Sequence, residues 1–433
     1  MNKFEATIGM ETHVELRCNS KMFCGCPADH FGKVPNTQTC PTCLGLPGAL
    51  PVPNKKAVDW TIMLGLALNC TINSESKFDR KHYFYPDLPK GYQISQYDEP
   101  IAVEGYLDTS YGRVGIERVH LEEDTGKLQH KKLNGENVTL IDFNRSGVPL
   151  VEIVTKPDIH SGAQAKEFEQ KVQQIIRTLK ISDADMEKGS MRLEANISWG
   201  LEWGYKVEVK NLNSFRFVDR AIEYELKRQK EILEKGVNPK QETRGWSESK
   251  NETVPQRLKE TASDYRYFPE PDIPPMKFNS AFIAEIKKQI PELPAVKKTK
   301  LIEKYEIRES YADIIVSQEE LLKLSEQVFE LGIKKGLDTN KLANVLVNQK
   351  IKAGIKAEDI LGHFKAKEER VVDDKEINNW VEEAIKTMSG AVGDYRNGKV
   401  NAIMAIVGKV MQLSKGKADP QSVKKVLEAK LKN

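Results

Sequence analysis

Ionisable and apolar side chains alternate near the start of the chain. Between residues 8 and 16, Glu11, His13 and Glu15 occupy every second position, and the positions between them are mostly apolar. A period of two is typical of a half-buried β-strand, so these three side chains should share one face. Two carboxylates beside an imidazole suit a divalent cation that contacts phosphate oxygens. The alternative is a solvated strand face without a ligand.

Two later segments place a carboxylate among apolar residues. Residues 114–120 predict a strand that leads into Leu121 and three acids, and Glu123 would share an inner face with Val119 and Leu121. Residues 148–154 are apolar except for Glu152. A buried carboxylate needs a cation or a proton, so both glutamates are candidate metal ligands. A solvated corner at Glu123 and an internal salt bridge at Glu152 are the alternatives.

Two further segments also alternate. Residues 191–198 place Arg192 and Glu194 opposite an apolar face, and residues 205–212 do the same with Lys210. Successive strands of this type predict an antiparallel sheet with one polar, concave face that can hold a ligand.

Four of the six cysteines are grouped in a way that favours a metal. Cys24 and Cys26 are followed, after a polar loop of thirteen residues, by Cys40 and Cys43. Two closely spaced thiolate pairs can hold one tetrahedral Zn²⁺, which would stabilise a loop with few apolar residues. Free thiols or a redox pair are the alternatives, and His30 could replace one thiolate.

An aromatic and basic segment lies at residues 78–87 and contains Arg80 and Tyr83. Rings interleaved with cations can stack on a nucleobase while the cations bind phosphates. Pro86 and Pro89 favour an irregular loop here. A packed loop without a ligand is an equal alternative.

Length and composition indicate a globular protein of two to four domains. The chain has 433 residues, of which 30% are charged and 39% apolar. It has no apolar run long enough to span a membrane and no secretory signal, so we expect a cytoplasmic protein with free cysteines. It also lacks a G-x-x-x-x-G-K-[ST] loop, so any ATP would be held by sheet residues and metal.

Helical patterns replace strand patterns after residue 275. A boundary is expected near Pro291 and Pro294, followed by a helical connector and then by helices at residues 377–388, 400–413 and from Asp419 onward. The segment from Arg396 to residue 433 contains nine Lys or Arg residues and only two acidic residues. Such a basic tail favours a phosphate backbone as ligand, and a merely soluble helical end is the alternative.

Several motifs carry a resemblance to a known family. They are IGMETHVEL (8–16), FDRKHYFYPD (78–87), QISQ (93–96), HLEED (120–124), VEVKNLNSF (207–215), DYRYFPEPD (264–272) and DYRNGK (394–399). Together they resemble the GatB family, which supplies the B subunit of the aspartyl/glutamyl-tRNA amidotransferases. The four cysteines are similar to those of the zinc-bearing members.

The resemblance implies an α+β fold. An antiparallel-sheet cradle related to the glutamine synthetase fold would occupy residues 1–290 and carry the zinc loop 24–43. An all-α connector at 291–370 and a small helical tRNA-binding tail at 371–433 would follow.

The resemblance also implies a reaction. ATP would phosphorylate the side-chain carboxylate of Glu misacylated on tRNA(Gln), or of Asp on tRNA(Asn), and ammonia from a partner amidase would then amidate it. A small third subunit would hold the two larger ones together. The implied Mg²⁺ ligands are Glu11, His13 and Glu123, with Glu152 and Glu194 in the same pocket. Arg192, Lys210, Arg80 and Tyr83 would contact phosphate or substrate.

Two departures from the family pattern concern the site and the connector. Residues 192–196 read Arg-Leu-Glu-Ala-Asn where Arg-Cys-Asp-Ala-Asn is common, so Glu194 reaches one methylene further. The connector also looks short. A non-catalytic zinc-containing tRNA-binding protein and a self-sufficient ligase that uses free ammonia are the competing functions.

Overall fold

The computed structural model describes residues 5–200, 205–258, 265–348, 355–368, 374–414, 418 and 420–431. The chain divides into two compact units, one ending at Lys297 and the other beginning at Lys298. No helix in the described ranges is both long and apolar enough to cross a membrane.

The first unit is built mainly from strands. They are β1 (Glu5–Glu15), β2 (Thr71–Ile72), β3 (Glu75–Ser76), β4 (Asp79–His82), β5 (Tyr92–Ser95), β6 (Ala102–Thr109), β7 (Gly112–Glu123), β8 (Lys127–Leu133), β9 (Glu136–Asp142), β10 (Pro149–Thr155), β11 (Met191–Gly200), β12 (Val207–Lys210), β13 (Glu242–Ser247), β14 (Glu252–Leu258), β15 (Phe268–Pro269) and β16 (Met276–Lys277). Its helices are α1 (Lys55–Ala67), α2 (Gly162–Leu179), α3 (Phe215–Glu234) and α4 (Ser280–Lys288).

Among the described residues, the largest sheet has nine strands in the order β14-β13-β12-β11-β1-β10-β7-β6-β2. The expected antiparallel sheet is confirmed except at one pair, because β12 and β13 run parallel. Helix α3 connects these two strands, and a helical crossover returns the chain to the same end of the sheet. Ser214 begins α3 by accepting a hydrogen bond from the Phe217 N–H.

The predicted alternation along β1 and β11 is confirmed. Ile8, Met10 and Val14 are buried on one face, which packs on the helices of the first unit. On β1, Glu11 and His13 lie on the other face. Directly paired residues of antiparallel strands point to the same side, so strand register brings distant side chains together on this face.

The expectation of an irregular loop over residues 78–87 is wrong in its first half. Asp79–His82 forms β4, which pairs with β5 and β15 in a small separate sheet. The prolines that favoured a loop lie beyond the end of this strand. Likewise, strand structure continues just past residue 275, where β16 pairs with β3.

The described part of the second unit contains helices only. They are α5 (Pro294–Tyr305), which begins just before the unit boundary, α6 (Glu309–Val316), α7 (Glu319–Lys334), α8 (Thr339–Asn348), α9 (Ala357–Glu368), α10 (Asp374–Thr387), α11 (Ser389–Arg396), α12 (Ile403–Leu413) and α13 (Pro420–Leu431), with a short 3-10 helix at Val400–Ala402. One hydrophobic cluster lies between Leu301 and Phe364, and another between Ile377 and Leu431. The expected helix cap Asp419 lies outside the described residues, and the division into three domains stays a prediction.

One buried carboxyl group on the apolar side of the sheet gives a testable pH effect. Glu169 of α2 is fully buried and accepts hydrogen bonds from the Thr12 hydroxyl at 2.7 and 2.9 Å. Burial raises the pKa of Glu169 from 4.5 to about 8. Between these values the folded protein keeps a proton that the unfolded chain releases, so this group lowers stability as the pH rises.

We therefore expect Glu169→Gln to raise the midpoint of thermal unfolding at pH 8 and to change it little near pH 4.5. Glu167→Gln on the same helix should instead lower the midpoint of thermal unfolding at pH 8. Partial burial disfavours its charge, but hydrogen bonds from Lys171 and Ser110 outweigh burial and lower the pKa of Glu167. Equal shifts of Glu169→Gln at both pH values would contradict this assignment.

Candidate functional site

The polar face of the sheet holds a first cluster of ionisable groups at its centre. The register pairs His13 with Glu152, and Glu152 with His120 on the next strand. His13 Nε2 lies 3.3 Å from Glu152 Oε2 and 3.8 Å from Glu122 Oε1. His120 Nε2 lies 3.1 Å from Glu152 Oε2. Three strands, β1, β10 and β7, therefore build this cluster.

The charges of this cluster are strongly coupled. Burial alone would lower the pKa of His13, but the Glu152 carboxylate outweighs burial and raises it to about 9. Burial would raise the pKa of Glu152, yet His13 and His120 hold it well below its usual value. Burial would also raise the pKa of Glu122, but the hydrogen bond from His120 and the attraction of its positive charge act against burial and the pKa is lowered, so both Glu122 and Glu152 stay ionised. With the His13 nitrogen, ligand atoms of Glu122 and Glu152 lie within 4.8 Å of one another, so this set fits a divalent cation.

A second cluster lies beside the first, on β1, β11 and β12. Ligand oxygens of Glu11, Glu194 and Glu208 lie within 4.8 Å of one another. Lys210 Nζ lies 2.8 Å from Glu194 Oε2, and Asn196 Nδ2 donates to Glu11 Oε1 at 2.7 Å. The pKa of Glu11 is raised mainly by burial and, to a smaller extent, by repulsion from the Glu152 and Glu194 carboxylates. An all-carboxylate set of this kind fits a cation that prefers oxygen ligands.

The structure does not bring Glu11, His13 and Glu123, the predicted Mg²⁺ ligands, together in one cluster. Glu11 and His13 belong to the two neighbouring clusters, and Glu123 belongs to neither of them. Glu123 follows Leu121 on the apolar face, where Lys90 Nζ lies 2.6 Å from its carboxylate and the Ile94 N–H donates to it at 3.0 Å. Because alternate residues face opposite sides, Glu122 is the residue that reaches the polar face.

The predicted phosphate and substrate contacts have protein partners in this structure. Arg192 Nη2 lies 2.6 Å from Asp124 Oδ2. Arg80 makes two hydrogen bonds to Glu270, at 2.7 and 2.9 Å.

Tyr83 belongs to a row of tyrosine rings instead. Its ring lies 6.2 Å from that of Tyr265, and Tyr265 in turn contacts Tyr267. Arg192 and Lys210 lie at the polar face. Arg80 instead binds Glu270, which follows β15 directly in the chain.

Sequence reasoning missed His120, Glu122 and Glu208 as site residues. Their positions carried a usable signal, because His120 and Glu122 are two residues apart in β7 and share one face. Glu208 lies opposite Val207 and Val209, on the side already predicted to be polar. What the sequence could not supply is the register that sets these strands side by side.

The four grouped cysteines form a separate cluster. The sulfurs of Cys24, Cys26, Cys40 and Cys43 lie within 4.8 Å of one another. The Cys24 thiol donates a hydrogen bond to Cys43 and lowers the pKa of Cys43 to about 4. His30 is not part of this set, because its Nε2 contacts Glu15 Oε2 at 3.0 Å. Four convergent sulfurs fit one tetrahedral metal ion.

Comparison with known proteins defines the class. Residues 6–284 match the family described as the GatB/GatE catalytic domain, and residues 299–431 match the GatB domain. These matches cover both compact units. They define a component of the tRNA-dependent amidotransferases, which are enzymes of the ligase type.

Relatives that match nearly the whole chain specify the family. The chain is 41% identical to the B subunit of the aspartyl/glutamyl-tRNA(Asn/Gln) amidotransferase from Roseiflexus castenholzii, with 98% of each chain covered. It is 42% identical to the protein of the same name from Caldicellulosiruptor saccharolyticus, with 99% of each covered. The chain therefore belongs to the GatB family, and the competing assignment to a non-catalytic tRNA-binding protein is not favoured.

The alignments also bear on chain length. They extend over 478 and 479 positions, more than the 433 residues of this chain. The relatives therefore contain residues that this chain lacks.

Proposed function

We propose that this chain phosphorylates the side-chain carboxylate of Glu on tRNA(Gln), or of Asp on tRNA(Asn), with ATP and then amidates it. The observation that carries the proposal is the pair of carboxylate clusters side by side on one sheet face. A carboxylate is anionic and has no good leaving group, so ammonia does not displace its oxygen. Transfer of the ATP γ-phosphoryl group creates an acyl phosphate, from which phosphate can leave.

The residues of the polar face would position the reactants. His13, Glu122 and Glu152 would hold one Mg²⁺, and Glu11, Glu194 and Glu208 would hold a second. Bound Mg²⁺ supplies positive charge that stabilises ATP phosphates and the transferring group. Lys210 and Arg192 adjoin these clusters, and we propose that they contact phosphate or substrate carboxylate when these displace their present partners.

We propose that ammonia comes from a partner, because the relatives are named as the B subunit of a larger enzyme. The family resemblance supplies the partners, an amidase and a small third subunit, in a heterotrimer. A cytoplasmic location, where tRNA is aminoacylated, follows from the same proposal. We also propose that the sheet unit is related to the glutamine synthetase fold, with which a large, mostly antiparallel sheet is compatible.

We further propose that the four-cysteine cluster holds structural Zn²⁺. Its set of four sulfurs leaves no coordination position open for a substrate. Cys40→Ser should therefore abolish stoichiometric zinc binding and make the loop 24–43 sensitive to protease. Elemental analysis and limited proteolysis measure these effects, and Cys18→Ala, at a buried cysteine outside the cluster, is the control. Full zinc content in Cys40→Ser would contradict the site.

Formation of ADP tests the proposed reaction. The chain is assembled with its amidase partner and supplied with ATP, Mg²⁺ and either Glu-tRNA(Gln) or Asp-tRNA(Asn). We expect ADP formation to depend on the misacylated tRNA and to stop with correctly aminoacylated tRNA. ADP formation that is independent of the tRNA would contradict the proposal. Comparison of the two tRNAs also identifies the preferred substrate.

A parallel reaction tests the competing enzyme function. The chain alone receives ammonium in place of the partner and glutamine. Full activity under these conditions would support a self-sufficient ligase, whereas strong dependence on the partner supports a chain that receives ammonia from the amidase.

A further inference from the structure

Lys21 is a fully buried lysine beside the four-cysteine cluster. Its ammonium group donates to the carbonyl oxygens of Gln38 at 2.8 Å and Phe143 at 3.2 Å. It also lies 3.6 Å from the sulfur of Cys43. Its three acceptors are thus two carbonyl oxygens and one sulfur, and none of them is a carboxylate.

A buried ammonium is expensive unless a negative charge lies close to it. Carbonyl dipoles satisfy its hydrogen bonds but do not neutralise it. Four thiolates around one Zn²⁺ carry a net charge of minus two, so one adjacent cation halves the charge that the loop must bury. Of the three groups that accept from the Lys21 ammonium, only the Cys43 sulfur can carry a negative charge, so Cys43 is the counter-charge that Lys21 contacts directly.

Lys21 also connects segments that the metal alone does not join. Its backbone N–H donates to the Cys26 carbonyl at 2.9 Å, in the first cysteine pair. Its side chain contacts Cys43 of the second pair and Phe143 of the turn before β10. Lys21 thus contacts both cysteine pairs of the loop and also the turn at residues 143–147.

This turn leads to the edge of the polar face. The Ser146 hydroxyl donates to the Cys43 carbonyl at 3.2 Å, and the Gly147 N–H donates to the Asp124 carbonyl at 2.8 Å. Asp124 in turn holds Arg192 at 2.6 Å. Gly147 has φ +85°, a left-handed conformation that would strain any other residue, and its position is within van der Waals contact distance of Cys43 and Lys21.

We propose that Lys21 is a positioning residue of the metal site: it serves as the buried counter-cation of the cysteine cluster and couples that cluster to the turn at residues 143–147. The inference rests on the proposed zinc site and is independent of the amidation chemistry. Its consequence is that metal affinity depends on a residue that is not a ligand.

The direct test is metal affinity in Lys21→Met, which keeps most of the length of the side chain and removes its charge and its hydrogen-bond donors. Zn²⁺ affinity is measured by competition with a chromophoric chelator, and Co²⁺ serves as a spectroscopic probe. We expect affinity to fall by about 10- to 100-fold, the usual effect of losing a group that supports a ligand. Lys33→Met, at a partly exposed lysine of the same loop that pairs with Asp29, should bind like the wild type.

A measurement on the wild-type protein keeps the test independent of how Lys21→Met folds. Zinc is removed by chelation, and amide hydrogen exchange is followed by segment. We expect protection to fall at residues 20–26 and 143–148, and to persist in α2.

The outcomes separate the two proposals. If the wild type binds neither Zn²⁺ nor Co²⁺, the metal site itself is wrong and the inference falls with it. If the wild type binds metal and Lys21→Met binds it equally well, or if residues 143–148 keep full protection without metal, only the role of Lys21 is wrong.

Discussion

Glu122→Gln is expected to lower the rate of tRNA-dependent ADP formation by at least about 100-fold, the upper range for disturbing groups that support a bound metal. The substitution replaces a buried carboxylate with a neutral amide beside His13 and His120. It removes one of two negative charges from the first cluster and one oxygen ligand from the proposed Mg²⁺ site. Binding of tRNA should be unchanged, because Glu122 is 2% exposed and lies beneath the surface.

Single-turnover ADP formation and equilibrium tRNA binding measure the two halves of this prediction. Glu117→Gln is the matched control, because Glu117 lies on the same strand but is exposed and pairs with Arg118 at 2.7 Å. Glu123→Gln makes a second comparison. It breaks the buried pair with Lys90 but should leave Mn²⁺ binding at the cluster intact, whereas Glu122→Gln should weaken it. A wild-type rate in Glu122→Gln would remove this residue from the site.

Removal of residues 374–433 is expected to weaken tRNA binding and to flatten its salt dependence. These residues contain the helices α10–α13, which share one hydrophobic cluster. A cut at Arg396 would divide that cluster, so the deletion starts at α10 instead. The slope of log K against log salt should fall in magnitude by about one unit for each phosphate that the shortened chain no longer neutralises.

A charge variant checks that result without removing helices. Lys424→Gln with Lys425→Gln keeps the cluster intact and removes two positive charges from α13. We expect the slope to fall by up to about two units. Filter binding between low and moderate salt measures both variants, and an unchanged slope in the deletion would exclude the tail from the tRNA interface.

Local alternation predicted the polar face well, because the period of two depends only on neighbouring residues. It placed Glu11, His13, Glu194 and Lys210 on that face correctly. The structure places Glu122 in the first cluster and Glu123 in neither. The same alternation placed Glu123 with apolar residues, and the cation required by that burial is Lys90 rather than a metal.

The remaining differences come from pairing between distant segments. Arg80 has no evident partner in the neighbouring sequence, and the family resemblance implies that it contacts phosphate or substrate. In the structure β15 brings Glu270, 190 positions further along the chain, beside it. The strand β4 forms only because β5 and β15 flank it, so a reading of residues 78–87 alone favours a loop. The parallel pair of β12 and β13 likewise depends on where α3 returns the chain. Such contacts are set by the packed fold and leave little trace in local sequence.

Trapping of the activated substrate detects the proposed acyl phosphate itself. The assembled enzyme is supplied with ATP, Mg²⁺ and misacylated tRNA, and hydroxylamine replaces ammonia. Hydroxylamine should displace phosphate from the acyl phosphate, so we expect one side-chain hydroxamate, γ-glutamyl or β-aspartyl, for each ADP formed. This product is distinguished from the α-carboxyl hydroxamate that hydroxylamine forms at the tRNA ester without ATP, and we expect it to disappear in Glu152→Gln. Side-chain hydroxamate formation at the wild-type rate in Glu152→Gln, or ADP release without this hydroxamate in the wild type, would contradict the proposed phosphorylation.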